Sequence, residues 1–205
     1  MSDAAHGSGL REHMLLFSRF LRNPRSVGAL SPSSQTVARV IADGLPAGDQ
    51  RRIVELGPGT GALTGELMRR LRPGDRFLAI DVDAAFVKEL QARWPALESV
   101  CGSAADLARI ATERGMPEVD HIVSGLPFAT IPVEVTQQIL ASVMQTLRPG
   151  GRFTTFQYLL GYPMPSSVAF RRQMSALLGA RPVRQLVMQN LPPCFVVTWI
   201  RPGRE

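Results

Sequence analysis

The sequence predicts a single α/β domain with a mostly parallel sheet of seven strands and an antiparallel hairpin at its C-terminal edge. A chain of 205 residues has the length of one domain. Short apolar runs that suit buried strands alternate with stretches of helical periodicity, an order typical of parallel sheets. One such run, residues 53–56, ends in a loop of three glycines, and the last two runs follow each other without a helix.

The elements are expected in a simple alternating order. Helices are predicted at residues 10–22, 35–45, from Thr60 onward, and at 84–94, 133–147 and 167–178. Strands are predicted at residues 53–56, 77–82, 98–102, 119–124, 152–158, 184–190 and 195–201. Residues 26–34 form a loop of helix breakers, in which Ser33 or Ser34 could cap the next helix. We therefore divide the chain into residues 1–34, with a disordered start, a helix and a loop, and a folded domain at 35–205.

Charge is distributed unevenly along the chain. Residues 1–39 hold five Arg or Lys against two Asp or Glu, and residues 148–205 hold eight against one. Residues 40–147 hold ten against fourteen. Two basic ends around an acidic middle indicate an anionic partner such as nucleic acid or a membrane surface. A general preference for arginine, with 22 Arg and one Lys, would not explain the asymmetry.

The predicted helix at residues 10–22 is amphipathic and basic. Phe17 and Phe20 fall on its apolar side, while Arg11, Arg19 and Arg22 fall on the opposite side. Such a helix can lie in a membrane interface, although it could equally pack on the domain's own core. No apolar run approaches the roughly 20 residues of a membrane span, and no signal peptide is recognisable. Cys101 and Cys194 lack metal-ligand spacing, so we expect no metal and a reducing, cytoplasmic compartment.

The glycine loop predicts a small-molecule site. An apolar strand leads through Glu55 into glycines at alternate positions, Gly57, Gly59 and Gly61, and a helix follows. Glycine tolerates positive φ and lets a ligand approach bare backbone, while the start of the helix offers unpaired N–H groups. Asp81 ends the next strand, where a carboxylate can bind the hydroxyls of a ribose. Ala62 stands where a dinucleotide-binding loop requires another glycine, so a dinucleotide is disfavoured.

The segment Glu-Leu-Gly-Pro-Gly-Thr-Gly resembles the first motif of class I S-adenosylmethionine-dependent methyltransferases, which have a Rossmann-like fold. The resemblance implies S-adenosylmethionine as cofactor and S-adenosylhomocysteine as product. Glu55 would hold the cofactor's ammonium, directly or through water, and Val82 would pack against adenine. The predicted contacts around the adenine edge and the neighbouring strand ends are Ser103, Ala104, Asp106 and Ser124. Asp106 could also cap a helix, which would not exclude the contact.

The end of the fourth predicted strand would carry the acceptor. Its sequence Ser-Gly-Leu-Pro-Phe resembles the Asn-Leu-Pro-Tyr/Phe segment of amine-directed methyltransferases, including rRNA adenine dimethylases. Gly125 replaces the Asn, which removes a side-chain acceptor for a planar base amine and argues against adenine. Backbone carbonyls near Leu126 could orient an alkylamine, and Phe128 could contact a methylammonium through a cation–π interaction. A simple strand-end turn with Phe128 in the core is the alternative.

A closer resemblance emerges from five segments together, residues 23–34, 54–61, 124–128, 156–158 and 190–196, which look like those of bacterial phospholipid N-methyltransferases. It implies methylation of phosphatidylethanolamine towards phosphatidylcholine on the inner face of the cytoplasmic membrane. The first helix would then be the membrane anchor and lid. The implied substrate- and membrane-binding residues are Arg11, Phe17, Arg19, Phe20, Arg22, Arg25, Ser31 and Ser33. An RNA adenine N6-methyltransferase is the alternative, and a non-catalytic membrane-surface protein a third reading.

Catalysis by such an enzyme mainly aligns the amine with the methyl group and removes water. Tyr158 and Tyr162 are candidates to hold or relay the amine proton. A tyrosine with an ordinary pKa is a poor base near neutral pH, so an orienting hydrogen bond is the favoured role. Arg22, Arg25, Arg171 or Arg172 could bind a lipid phosphate, since a guanidinium matches it bidentately.

Overall fold

The computed structural model describes residues 32–190 and 192–203, with side chains from residue 35 onward. Its helices are α1 Pro32–Asp43, α2 Ala62–Met68, α3 Ala84–Arg93, α4 Leu107–Glu113, α5 Val133–Thr146 and α6 Pro165–Leu178. Its strands are β1 Arg52–Leu56, β2 Arg76–Asp81, β3 Glu98–Cys101, β4 Val119–Ser124, β5 Leu147–Tyr158, β6 Val183–Val187 and β7 Cys194–Ile200. A short 3₁₀ turn, Ala104–Asp106, precedes α4.

The seven strands form one sheet in the order β3-β2-β1-β4-β5-β7-β6. The first five are parallel, whereas β7 runs antiparallel to both β5 and β6. The predicted α/β fold with its C-terminal hairpin is therefore confirmed. Leu56 lies opposite Ile80 of β2 and Ser124 of β4, so the carboxyl ends of these strands meet at one edge. The chain order reverses between β1 and β4, which is where such sheets bind ligands.

The sheet is covered on both faces because alternate side chains of each strand point to opposite sides. On one face, Ile53 and Val123 pack with apolar residues of α1, α2 and α3. On the other face, Phe153 and Trp199 pack with residues of α5 and α6. Within the described residues, no helix combines the length and apolar character needed to cross a membrane.

The observed starts of α1 and β5 differ from the predicted ones. Helix α1 begins at Pro32, so residues 32–34 belong to the helix rather than to the predicted loop. Strand β5 begins at Leu147, five residues early. The beginning of this strand pairs with the chain after β7: Gly150 N donates to the Arg201 carbonyl, and Arg201 N donates to the Gly151 carbonyl. Residues 148–151, which lie between the predicted helix at 133–147 and the predicted strand at 152–158, thereby extend the sheet.

Candidate active site

The loop after β1 is held in a conformation that requires glycine. Gly57, Gly59 and Gly61 all have positive φ, at 69°, 52° and 78°. A Cβ at Gly61 would lie 2.7 Å from both Leu90 and Trp94, so the packing of α3 excludes a side chain there. Gly57 N donates to the Ile80 carbonyl at 2.9 Å, which ties the loop to β2. The three glycines thus form the positive-φ turn at the sheet edge that the sequence predicts.

Asp81 organises this loop from the end of β2. Its Oδ2 accepts from Gly59 N at 3.0 Å and its Oδ1 accepts from Asp83 N at 2.9 Å. Burial raises the pKa of Asp81, and these backbone donors counteract the effect. Each carboxylate oxygen can accept more than one hydrogen bond, so the group still suits ribose hydroxyls. Its part in shaping the glycine loop was not predicted from sequence.

Glu55 is a buried carboxylate at the floor of the site. It is 1% exposed and accepts a 2.7 Å hydrogen bond from the Thr64 hydroxyl. Desolvation raises its pKa to about 8, despite the opposing hydrogen bond from Thr64, and the charge of Asp81 contributes in the same direction. No basic side chain in the described chain neutralises it. A buried carboxylate without a cation fits the ammonium of the predicted cofactor. Thr64, in the first turn of α2, was not predicted from the sequence.

The segment after β3 contains Ser103, Ala104 and Asp106, and the structure shows which of them caps a helical turn. Ser103 Oγ accepts from Ala105 N at 3.1 Å and so caps the 3₁₀ turn, while Ala104 is buried in the core. Asp106 makes no side-chain cap; its carboxylate is half exposed and lies 3.7 Å from the Arg109 guanidinium. The capping alternative for Asp106 is therefore wrong. Val82 packs at the edge of the same core.

The loop after β4 packs backbone against backbone on the glycine loop. Gly125 N donates to the Leu56 carbonyl at 2.9 Å. A Cβ at Gly125 would lie 2.7 Å from the Gly57 carbonyl oxygen, and a Cβ at Gly57 would lie equally close to Leu126. An asparagine at position 125 would therefore require the backbone to move. The missing side-chain amide is a consequence of how the two loops fit together.

The ring of Phe128 is not accessible to a ligand, as a cation–π contact with a methylammonium would require. It is 3% exposed and stacks on Phe170 of α6, with ring centroids 4.0 Å apart. This packing corrects the interpretation of Phe128 in favour of the core alternative. The Leu126 carbonyl accepts from Phe128 N at 3.1 Å. Ser124 is fully buried, and its hydroxyl accepts from Leu126 N at 3.3 Å, so it shapes this turn.

The two candidate tyrosines lie on opposite faces of the sheet. Tyr158 is 36% exposed, and burial of the rest raises its pKa. It lines a mainly apolar cavity of about 80 Å³ between α1, the start of α2 and β5, with Val37, Ala38, Ile41, Ala62, Leu63, Phe156 and Asn190. Tyr162 instead packs against Phe195, beside Arg171 and α6. Tyr158 alone therefore shares the glycine-loop side.

The predicted membrane-binding residues are largely beyond what the structure describes. Arg11, Phe17, Arg19, Phe20, Arg22, Arg25 and Ser31 lie outside the described residues, and Ser33 is described only as part of α1. Across residues 35–190 and 192–203, no group of three or more His, Cys, Asp or Glu side chains is arranged to hold a metal ion.

The sheet order, the glycine loop and the two buried carboxylates define an α/β protein of the methyltransferase class. Residues 53–151 match the family described as a methyltransferase domain. The chain belongs to the class I S-adenosylmethionine-dependent methyltransferases. The prediction of S-adenosylmethionine as cofactor is confirmed.

Two kinds of relative share this sequence pattern. The chain is 31% identical over 147 residues to an ornithine lipid N-methyltransferase from Singulisphaera acidiphila, covering 70% of this chain and 77% of that protein. It is 31% identical over 156 residues to ribosomal RNA small subunit methyltransferase A from Gloeobacter violaceus, covering 76% of this chain and 51% of that protein.

Solved structures show the same fold. The 1,6-didemethyltoxoflavin-N1-methyltransferase of Burkholderia thailandensis, bound to S-adenosylhomocysteine, superimposes with a TM-score of 0.69 at 19% identity, covering 99% of this chain and 92% of that one. The O-methyltransferase TomG of Streptomyces achromogenes, in complex with S-adenosylmethionine, gives a TM-score of 0.64 at 19% identity, covering 93% and 90%.

Proposed function

We propose that this protein methylates the amine of a membrane lipid, with phosphatidylethanolamine and its mono- and dimethyl derivatives as acceptors and phosphatidylcholine as final product. It would act as a peripheral protein on the inner face of the cytoplasmic membrane, held there by anionic lipids. The similarity to a protein named as an ornithine lipid N-methyltransferase supports a lipid amine as the acceptor class. The choice of phosphatidylethanolamine rests on the sequence resemblance described above.

The observation that carries this proposal is the contact between Gly125 and Gly57. A Cβ at Gly125 would meet the Gly57 carbonyl oxygen at 2.7 Å, so the loop offers no side-chain amide to hold a planar base amine. A flexible alkylamine needs no such group, because backbone carbonyls can orient it. The rRNA adenine alternative is supported by relatives such as the Gloeobacter violaceus enzyme, of which this chain spans about half the length.

The residues of the site suggest how transfer would be assisted. When bound, the cofactor supplies an activated methyl group, and Glu55 and Asp81 would hold its ammonium and ribose. The chain's own task is then to position the amine and exclude water. Tyr158 would hold the amine by a hydrogen bond rather than remove its proton, because burial raises its pKa further above neutral. The apolar cavity beside it would keep water away from the reacting groups.

Methyl transfer from labelled S-adenosylmethionine tests the proposal with three acceptors. These are vesicles of phosphatidylethanolamine with anionic lipid, vesicles of ornithine lipid, and unmodified small-subunit rRNA. We expect label in phosphatidylethanolamine and none in RNA, with Glu55→Ala as the inactive control. Label in ornithine lipid alone would retain the lipid-amine class and reject phosphatidylethanolamine. Label in RNA alone would reject the lipid class.

The membrane part of the proposal has its own test. Deletion of residues 1–22 should abolish transfer to vesicles while cofactor affinity, measured by calorimetry, stays unchanged. The two readouts separate loss of membrane binding from loss of folding. Full activity of the shortened protein on vesicles would remove the predicted anchor.

A further inference from the structure

A cluster of polar side chains lies on the α6 face of the C-terminal hairpin. Arg171 of α6 stacks on the ring of Tyr162 at 3.7 Å and donates to Gln157 Oε1 at 2.7 Å. Arg184 of β6 donates to the Tyr162 hydroxyl at 3.4 Å. Phe195 of β7 also packs against the tyrosine ring, with centroids 4.5 Å apart. Four elements distant in sequence thus converge on one place.

This cluster carries positive charge without an anion. Neither Arg171 nor Arg184 has a carboxylate within ion-pair distance in the described part of the chain. Burial lowers the pKa of Arg171, and the charge of Arg184 adds to this effect. Among the described residues, no acceptor lies within hydrogen-bond distance of the Nε2 donor of the buried Gln157 amide. A ligand with several acceptor oxygens would satisfy all three groups at once.

The cluster is fixed relative to the loop that receives the acceptor amine. Thr155 of β5 pairs with Ser124 of β4, and Gln157 lies two residues further towards the same sheet edge, a step of about 7 Å. Phe170, which precedes Arg171, stacks on Phe128 of that loop. Helix α6 therefore links the two regions rigidly, and a ligand could contact both.

The surroundings favour a lipid over a polynucleotide. Five large apolar side chains are exposed near the cluster, on the loop after β5, in β6 and just after β6: Leu159, Leu160, Met164, Leu186 and Met188. Leu160 is 85% exposed. Exposed apolar side chains grouped beside positive charge are typical of surfaces that meet a membrane. A surface that binds a polynucleotide would not require these five exposed apolar side chains.

We propose that Arg171, Arg184, Tyr162 and Gln157 bind the phosphate of the phospholipid acceptor and so hold its amine at the loop after β4. The assignment rests on the proposed function, because the phosphate belongs to the lipid that is methylated. The two guanidinium groups contact the phosphate oxygens, and Gln157 Nε2 donates to one of them. A lipid lacking an anionic group next to its amine would be a poor substrate.

The test compares Arg184→Gln and Arg171→Gln with Arg181→Gln as control. Arg181 is exposed, follows α6 and has no polar partner among the described residues, so its variant loses the same charge outside the cluster. We expect KM for phosphatidylethanolamine vesicles to rise about tenfold or more in the first two variants, with kcat and cofactor affinity unchanged. Arg181→Gln should match the wild type. Inorganic phosphate should raise the KM of the wild type but not that of Arg184→Gln.

Binding measured without turnover distinguishes this proposal from the proposed function. Monomeric dihexanoyl phosphatidylethanolamine is titrated into each protein in the presence of S-adenosylhomocysteine. Weaker binding to Arg184→Gln than to Arg181→Gln, with no methyl transfer by the wild type, would retain the phosphate site and reject the function. Equal binding to both variants would overturn the phosphate site. Arg184 is exposed and makes one long hydrogen bond, so its substitution should not impair folding.

Discussion

The two sides of the sheet edge carry charges of opposite sign. The cofactor side, at the ends of β1, β2 and β3, contains the buried carboxylates Glu55 and Asp81, both with raised pKa. The acceptor side runs from the end of β4 through β5, α6 and the β6–β7 hairpin. It contains Arg171 and Arg184, which have no carboxylate partner among the described residues, and exposed apolar residues such as Leu160. Each side carries the charge opposite to that of its expected ligand.

The difference lies in what must be recognised. The cofactor is held by backbone groups and buried carboxylates. Burying these carboxylates lowers the stability of the protein until the ligand binds. An acceptor that arrives from a surface is met by long, partly exposed side chains. The two sides touch at Gly57 and Gly125, where no side chain separates them.

The largest effect is expected where the sides touch. Gly125→Asn places a Cβ 2.7 Å from a carbonyl oxygen of the backbone, which cannot rotate away. We expect a loss of about 3 kcal/mol in the free energy of unfolding, and more than about a hundredfold loss of lipid methylation because the loop positions both ligands. Gly203→Asn is the matched control, since a Cβ there meets nothing within 4 Å. Methylation of rRNA by Gly125→Asn would mean that the amide alone selects the acceptor.

A second effect concerns the buried charge of the cofactor side. The pKa of Glu55 is raised from 4.5 to about 8, so the native state binds the extra proton and stability falls as pH rises between these values. The pKa of buried His121 is lowered from 6.5 to about 3, so stability rises with pH in that range. The two slopes cancel between about pH 4.5 and 6.5. Above this, Glu55 alone should reduce the free energy of unfolding by about 2 kcal/mol up to pH 8.

Urea unfolding of the cofactor-free protein at several pH values measures this profile. Glu55→Gln should remove the decline above about pH 6.5 and reveal the rise due to His121 below it. The same variant should bind S-adenosylmethionine about a hundredfold more weakly, because a charge-assisted contact is lost. An unchanged pH profile in Glu55→Gln would show that another group titrates.

The same division explains what the sequence could predict. The cofactor loop depends on neighbours in the chain: glycines between a strand and a helix, and a carboxylate at the next strand end. The acceptor side depends on distant partners. Whether Phe128 faces a ligand or the core is decided by Phe170 in α6. Gln157 meets Arg171 only because α6 packs on the sheet, and Tyr162 meets Arg184 only because β6 lies at its edge. The early start of β5 likewise follows from pairing with the chain after β7.

A third prediction tests the correction at Phe128. Because its ring is buried against Phe170, Phe128→Leu should lower the free energy of unfolding by about 1.5 kcal/mol through lost packing. KM and kcat of the folded protein should stay within about twofold of the wild type. Thermal unfolding and initial rates on vesicles measure the two effects separately. A large rise in KM without loss of stability would restore the cation–π role.

The smallest effect is expected at Tyr158, which lines the apolar cavity between the start of α2 on the cofactor side and β5 on the acceptor side. Burial raises the pKa of its hydroxyl, so the group remains protonated at neutral pH and can orient the amine but not take its proton. Removing one hydrogen bond by Tyr158→Phe should lower kcat about three- to tenfold, with the pH dependence of kcat unchanged. A general base would instead contribute about a hundredfold or more, and its loss would remove a limb of the pH profile. Tyr162→Phe, on the opposite face with Arg171 and Arg184, should alter KM rather than kcat, and this contrast separates amine positioning from phosphate binding.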